Sequence, residues 1–260
     1  MKCVILAAGM SKRLRPLTDH LPKCLLSIGG TTILVRTMEA LLSHGISDIA
    51  LVVGFEAGEV KLHLQHQYPK RRFRFVLNPK FASTNNAYSL LLSRNFYLGN
   101  TPPKGPGEDL LILDSDILFH PKLLTALLKD THENRLAVQR RGNHDAEEIK
   151  VQVDRNLLLT DIGKDLAPSN TYGESIGIEL FSPGVAMQMY ETLEQRVRAG
   201  NGRTEFYESA FQELIDRGVQ IAAVDVTGFP AIEIDSPDDL ELAASSVAPG
   251  IDASRDVRVS

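Results

Sequence analysis

The run Lys2-Cys3-Val4-Ile5-Leu6-Ala7-Ala8-Gly9-Met10-Ser11-Lys12-Arg13-Leu14-Arg15, closed by Pro22-Lys23, is the stretch on which the reading of the chain turns. An apolar run of strand length stops abruptly in small residues, and a glycine then opens a loop carrying three cations. Small residues let backbone N–H groups approach an anion closely, and the cations that follow can neutralise it. That is the chemistry of a polyphosphate cradle. A buried first strand followed by a solvated basic loop would use the same residues. The rest of the chain has to decide.

Moving outward, segments of strand and helix character alternate over the first half, which predicts an α/β fold with a largely parallel sheet. Strands are expected at Lys2–Ala8, Ile49–Val53, Phe73–Leu77 and Leu110–Leu113. Helices are expected after Thr32, over Glu56–Gln67, over Asn85–Arg94 and from Pro121. Thr101–Gly107, rich in proline and glycine, reads as a loop. From Leu136 the pattern changes. Leu136–Gln139, Ile149–Val153, Leu157–Ile162 and Ser175–Phe181 read as strands, with a hairpin at Asp154-Arg155-Asn156. Helices follow at Pro183–Arg198 and Glu205–Arg217, then strands at Gln220–Val226 and Ala231–Ile234, and a last helix from Pro237. Residues 1–245 read as one domain. From about 246 the apolar periodicity is lost, which predicts a flexible tail over 246–260.

Composition bounds the partners. The chain has 260 residues, 43% of them hydrophobic and 23% charged, enough for a sizeable core. A net charge of −5 offers no overall basic field for nucleic acid. Cys3 and Cys24 lack metal-ligand spacing and sit in apolar surroundings, as buried free thiols do. No apolar run approaches the roughly 18 residues of a membrane span, and no signal peptide is evident. The expectation is a cytoplasmic protein without nucleic-acid or membrane partners.

In open α/β sheets, ligands bind beyond the carboxyl ends of the strands. Three features lie at such ends: the Ala8–Arg15 loop, the pair Asp114 and Asp116, and Asp235. The loop is neither of the common glycine-rich phosphate motifs. Asp114-Ser115-Asp116 places two carboxylates on one side of an extended tripeptide, a hard-oxygen pair suited to Mg²⁺. An Asx-turn ahead of Pro121 would use the same residues, and Asp235 is equally placed to cap a helix opening at Pro237. A cradle and three carboxylates at matching strand ends are harder to explain as turn chemistry.

Together, Leu6-Ala7-Ala8-Gly9-Met10-Ser11-Lys12-Arg13-Leu14 and Pro22-Lys23 resemble the signature of the nucleotidyltransferase superfamily that includes sugar-phosphate nucleotidylyltransferases. The resemblance covers residues 1 to about 242. It implies a three-layer αβα, Rossmann-like mixed sheet, with a parallel N-terminal half and inserted antiparallel strands, as in nucleotide-diphospho-sugar transferases. It implies a Mg²⁺-dependent attack of a phosphate monoester on the α-phosphate of a nucleoside triphosphate. By that resemblance Leu6, Ala7, Ala8, Gly9 and Ser11, with Arg13, hold the triphosphate, and Lys23 offsets charge at the α-phosphate. Asn78 and Asn86 fall at base-contacting positions, Asp114 at the nucleotide, and Asp116 and Asp235 at the metal. Lys164, Tyr172, Gly173, Glu174, Glu205 and Tyr207 fall on the acceptor side.

Asn85-Asn86-Ala87-Tyr88-Ser89-Leu90, Ile162-Gly163-Lys164 and Gly173-Glu174-Ser175-Ile176-Gly177-Ile178 resemble the branch of bacterial cytidylyltransferases acting on phosphocholine, alkylphosphonates or inositol phosphate. That implies CTP and a small non-hexose acceptor, in pathways that decorate cell-surface glycans or lipids. A hexose-1-phosphate nucleotidylyltransferase using UTP, dTTP or GTP is the alternative, and a nucleotide-binding regulatory module without turnover is a second. A metal-dependent glycosyltransferase would share the paired aspartates but needs no pyrophosphate cradle. A choline group favours an aromatic cage, and the chain has no Trp. Glu174, Glu205 and Glu208 could instead meet an ammonium by charge, although acids at 205 and 208 also suit a solvated helix start. Oligomeric state is not written in the sequence, and a homodimer stays open.

Overall fold

The computed structural model describes residues 1–99, 107–140, 148–200 and 202–256. Most of the loop expected at 101–107 lies outside them. In chain order the first half contains β1 (Lys2–Ala7), β2 (Ser27–Ile28), β3 (Thr31–Thr32), α1 (Ile33–Ser43), β4 (Asp48–Val53), α2 (Ala57–Gln67), β5 (Arg74–Leu77), α3 (Asn86–Leu92), α4 (Arg94–Leu98), β6 (Leu110–Asp114), β7 (Ile117–Phe119) and α5 (Pro121–Lys129). The second half contains β8 (Arg135–Gln139), β9 (Lys150–Val153), β10 (Leu159–Gly163), β11 (Gly173–Phe181), α6 (Pro183–Ala199), α7 (Glu208–Asp216), β12 (Ala222–Asp225), β13 (Ala231–Glu233), α8 (Pro237–Leu242) and α9 (Ala248–Asp256).

The main sheet runs β10-β9-β11-β6-β1-β4-β5, with β8 paired to β11 and β12 to β8. Strands β6, β1, β4 and β5 are mutually parallel, and β11 enters antiparallel against β6, β8 and β9. Helices cover both faces, so the central strands are buried on both sides and read as unbroken apolar runs. In β1, Cys3 and Ile5 join Leu34, Met38 and Leu41 of α1 on one face. Val4 and Leu6 join Leu90 of α3 and Tyr190 of α6 on the other. This is the three-layer mixed architecture expected from the sequence.

A third, smaller apolar cluster was not foreseen. It gathers Leu14, Leu26, Ile28, Ile33, Leu118, Ile232, Ile234, Ala243, Ala248 and Ile251. The short antiparallel ribbon of β7 and β13 runs through it. So does the C-terminal segment, which corrects the expectation of a flexible tail over residues 246–256. Helix α9 follows α8 through a single wide turn, Ala243–Val247, and buries Ala248 and Ile251. Arg36 of α1, itself buried, grips Asp252 of α9 through two hydrogen bonds of 2.7 and 3.0 Å. Small apolar residues at wide spacing were enough to dock this helix, and they carry too little periodicity to be noticed in the sequence.

Candidate active site

The loop after β1 is held open by its own backbone. Ser11 takes a left-handed conformation (φ 46°, ψ 51°), and its carbonyl accepts a hydrogen bond from the buried Thr18 hydroxyl at 2.7 Å. A Cβ built on Gly9 would meet no atom within 4 Å, so the glycine faces free space. Gly54, at the end of β4, is needed for the opposite reason. A Cβ there would lie 2.8 Å from the Ala8 carbonyl and 2.6 Å from Phe81. The two strand ends therefore close against each other beneath the loop.

A cleft of about 220 Å³ lies over this edge of the sheet, with Leu6, Ala7, Ala8, Gly9, Ser11, Lys23, Asn78, Asn86, Asp114 and Asp116 in its walls. An adjoining space of about 550 Å³ shares Gly9, Ser11, Lys23 and Asp116 and adds Lys12, Arg13 and Asp235. All the residues expected at the nucleotide and the metal thus come together. Their roles differ in detail. The amide of Asn78 donates to Thr84 and Ser89, and its Oδ1 accepts from the Lys80 backbone, so Asn78 shapes the wall with all three groups engaged. Asn86 Oδ1 accepts from the Tyr207 backbone at 2.9 Å, joining the start of α3 to the segment before α7.

The charged centre is built by the β7–β13 ribbon. The Ile234 amide donates to the Asp116 carbonyl at 3.1 Å, which brings the two strand ends together. Lys23 Nζ donates to Asp116 Oδ2 and Asp235 Oδ1, each at 2.7 Å. Arg13 holds the other oxygen of Asp235 at 2.8 Å. The cap of α8 is Ser236, in a reciprocal capping box with Asp239, and the cap of α5 is His120. Asp235 and Asp116 are therefore free for the site, and the capping readings of both fall away. Burial works against the Lys23 ammonium, but Asp116 and Asp235 raise its pKa above the ordinary lysine value. Burial likewise pushes Asp235 up, and Lys23 and Arg13 more than offset it, leaving its pKa below the usual carboxylate value.

Glu233 joins this centre, a residue the sequence reading missed. One oxygen from each of Asp116, Glu233 and Asp235 lies within 4.8 Å of the others. Glu233 and Asp235 stand two apart at the end of an extended strand, so they share a face, and Ile232 and Ile234 fill the opposite side in the third apolar cluster. That alternation was the available signal. Asp116 Oδ1 is buried without a hydrogen-bond partner. Three convergent carboxylates with a vacant buried oxygen fit a hard divalent cation such as Mg²⁺.

The side where the acceptor residues are expected is built differently. Tyr207 is fully buried, and its hydroxyl lies 3.0 Å from Asp114 Oδ2 and 3.3 Å from Glu179 Oε1. Burial, then repulsion from neighbouring acids, raises the pKa of both carboxyls well above the ordinary range. Gly177 has φ +69°, and a Cβ there would press 2.7 Å from Asp114 Oδ2, so glycine lets β11 approach the cleft floor. Glu208, at the start of α7, is also buried, and its Oε2 has no partner. Burial raises its pKa to about 7, with its own backbone amide and Lys164 pulling the other way. Lys164 Nζ sits 4.3 Å from the centre of the Phe206 ring, which lines the cleft.

Several acceptor-side expectations change accordingly. Tyr207 supports Asp114 and Glu179 from within the core and presents no open surface. Glu205 is spent on Arg196 of α6 at 2.8 Å. Tyr172 lies under the Arg140 guanidinium, 5.2 Å from its ring centre. Gly173 serves close strand packing, since a Cβ would strike Val138 at 2.5 Å and the Gln139 carbonyl at 2.6 Å. Glu174 is buried where β11 pairs with Gln139 and Lys150. Glu179 went unnoticed, although a carboxylate within the apolar run Ile176–Phe181 was a visible anomaly.

Residues 3–199 match the MobA-like NTP transferase domain, and the chain belongs to that family of nucleotidyltransferases. It is 30% identical over 262 residues to the CTP:phosphoglutamine cytidylyltransferase of Campylobacter jejuni, covering 93% of this chain and 98% of that protein. It is 27% identical over 264 residues to the CMP-5'-(3-aminopropyl)phosphonate synthase of Streptomyces rubellomurinus, spanning 96% of this chain but 39% of that longer protein. Among solved structures, the CTP:phosphocholine cytidylyltransferase of Streptococcus pneumoniae superposes with a TM-score of 0.75 at 22% identity, covering 94% of this chain and 97% of that one. The inositol-1-phosphate CTP transferase of T. maritima does so with a TM-score of 0.74 at 23% identity, covering 95% and 97%. These two structures establish the fold. Among the described residues no helix is long and apolar enough to cross a membrane.

Proposed function

We propose that the chain is a divalent-metal-dependent cytidylyltransferase. It transfers CMP from CTP to a small phosphate or phosphonate monoester that carries a cationic amine, and it releases pyrophosphate. The observation that carries the reaction type is the meeting of Lys23, Arg13, Asp116 and Asp235 beside the open backbone of Gly9 and Ser11. CTP as donor is supported by the Campylobacter and Streptomyces relatives.

In this reading an acceptor oxygen attacks the α-phosphorus in line. A bond forms between that oxygen and the α-phosphorus, and the bond from the α-phosphorus to the bridging β-oxygen breaks. A phosphate monoester is already largely ionised near neutral pH, its second pKa being about 6, so no general base is needed. The seven histidines are accordingly not called upon. Lys23 neutralises charge building at the α-phosphate, and Arg13 with the Gly9–Ser11 amides receives the departing pyrophosphate. Asp116 and Asp235, with Glu233, would hold Mg²⁺, which would supply charge neutralisation on the phosphate oxygens.

The amine on the acceptor is favoured by Glu208. A buried carboxylate oxygen without a partner is costly unless a ligand satisfies it, and an ammonium does so by both charge and hydrogen bonding. Lys164, close enough to lower the Glu208 pKa, could meet the acceptor phosphate at the other end. The test is pyrophosphate release from a matrix of four nucleoside triphosphates against phosphocholine, phosphoethanolamine, 2-aminoethylphosphonate, inositol phosphates and hexose 1-phosphates. Turnover is expected with CTP and the amine-bearing acceptors. Turnover confined to hexose 1-phosphates with another triphosphate would replace this reading with the hexose one. No pyrophosphate from any pair would leave the regulatory module.

A further inference from the structure

One ammonium of this chain stands where a divalent cation would stand. Lys23 Nζ is 2.7 Å from Asp116 Oδ2 and 2.7 Å from Asp235 Oδ1, and the lysine side chain is only 11% exposed. Those two carboxylates are also the ones that converge with Glu233 to form the oxygen cluster. Mg²⁺ draws its oxygen ligands in to about 2.0–2.1 Å, so an ion taking the same two oxygens would contend with Nζ for them. The ion and the ammonium compete for the negative charge of this pair.

We propose that Lys23 is a placeholder for the metal. In the nucleotide-free chain its ammonium competes with the divalent cation for Asp116 and Asp235, and it keeps these two anions from repelling each other and opening the site. A bound nucleoside triphosphate offers the ammonium a new anionic partner, and the carboxylates are then released to the cation. Only the side chain has to move. The backbone at Lys23–Leu25 is a short helical turn pinned by the buried Cys24 and Leu25, whereas Nζ rides on a flexible four-carbon stem. Cation and nucleotide therefore bind with positive coupling, because each removes a competitor of the other. The inference rests on the metal-dependent reading above and adds to it an order of events.

The experiment uses Mn²⁺ as the probe, followed by electron paramagnetic resonance of the free ion, with the full chain and no acceptor. Wild type and Lys23→Met are compared with and without a non-hydrolysable CTP analogue. Without nucleotide, Lys23→Met is expected to bind Mn²⁺ at least about tenfold more tightly than wild type, because a neighbouring positive charge has been removed. The gain should vanish in the double variant Lys23→Met/Asp116→Asn, which assigns it to this site. Lys23→Gln carries the same expectation and serves if Lys23→Met does not fold, as judged by its melting transition. Unchanged or weaker Mn²⁺ binding by a folded Lys23 variant, while wild type binds Mn²⁺ with the analogue, overturns the placeholder and leaves the metal-dependent reading standing. If wild type binds no Mn²⁺ even with the analogue, the metal-dependent reading falls and takes the placeholder with it.

Discussion

The two sides of the cleft handle charge in opposite ways. On the side of the carboxylate cluster two acids are paired with cations: Lys23 bridges Asp116 and Asp235, and Arg13 takes the remaining oxygen of Asp235. On the acceptor side Asp114, Glu179 and Glu208 are buried around one phenol, and the Glu208 Oε2 has no partner. A carboxylate already paired with a cation is stable as it stands and must be released before it can bind anything. A buried acid without a cation is held near neutrality by burial and gains most when a positive ligand arrives. The paired side is thus preassembled, and the side of Glu208 is poised for a positive charge beyond that of Lys164.

Breaking the paired side should have the largest effect. Asp116→Asn is expected to lower the rate of pyrophosphate release by on the order of 10³-fold, with the melting transition little changed, since the charge it handles develops during the reaction. A rate within a few-fold of wild type would remove Asp116 from the chemistry.

On the unpaired side the effect should be selective. Glu208→Gln is expected to raise KM for an amine-bearing acceptor by roughly 10–100-fold, the worth of a charge-assisted hydrogen bond, with kcat nearly unchanged. An amine-free acceptor should lose nothing. Equal losses with both acceptors would make Glu208 a structural residue only. Because the Glu208 pKa is about 7, KM for the amine-bearing acceptor should fall as pH rises through that value, and Gln at 208 should flatten the profile. The groups near Glu208 that titrate or carry charge are Asp114 on β6, Glu179 on β11, Tyr207 and Lys164.

Stability should follow the same group with the opposite sign. The folded carboxyl of Glu208 keeps its proton to about pH 7, whereas the ordinary value is 4.5. Between those values the folded chain binds more protons than the unfolded one, so this group's contribution declines as pH rises across the window. Urea midpoints at about pH 5 and about pH 8 should differ less in Glu208→Gln than in wild type.

The smallest effect is expected behind the metal side. Asp252→Ala removes the carboxylate partner of Arg36 and should cost about 1–3 kcal/mol, because the buried guanidinium loses its anion. Its catalytic effect should appear in kcat more than in acceptor KM. The cluster that α9 completes contains Ile232 and Ile234, whose neighbours Glu233 and Asp235 belong to the carboxylate cluster, and none of the residues expected at the acceptor. An unchanged urea midpoint would show that α9 docks without this pair.

The difference between the two sides also decided how much could be read in advance. Residues 6–15, Asp116 and Asp235 were legible because each sits at or just beyond a strand end, and Lys23 because Pro22-Lys23 closes the specific motif that the loop opens. Glu233 could have been found from its alternation with Ile232 and Ile234. Glu179, Thr18 and Arg36 carry no local motif: a buried acid, a buried hydroxyl and a buried guanidinium are recognised only by what they touch. Glu205 and Glu208, three residues apart, looked alike in the sequence. Packing ties the first to Arg196 and turns the second inward.

The sequence by itself carried the family resemblance, and through it the reaction class, because the loop after the first strand keeps particular residue types in consecutive positions. It also determined the parallel centre of the sheet, because strands buried on both faces must be continuously apolar. Tertiary structure alone decided which acids are paired, which are left unpaired, and what the C-terminal segment does. Those outcomes depend on the proximity of residues as far apart as Lys23 and Asp235 or Arg36 and Asp252, and on desolvation, which exists only once the chain has closed around a group.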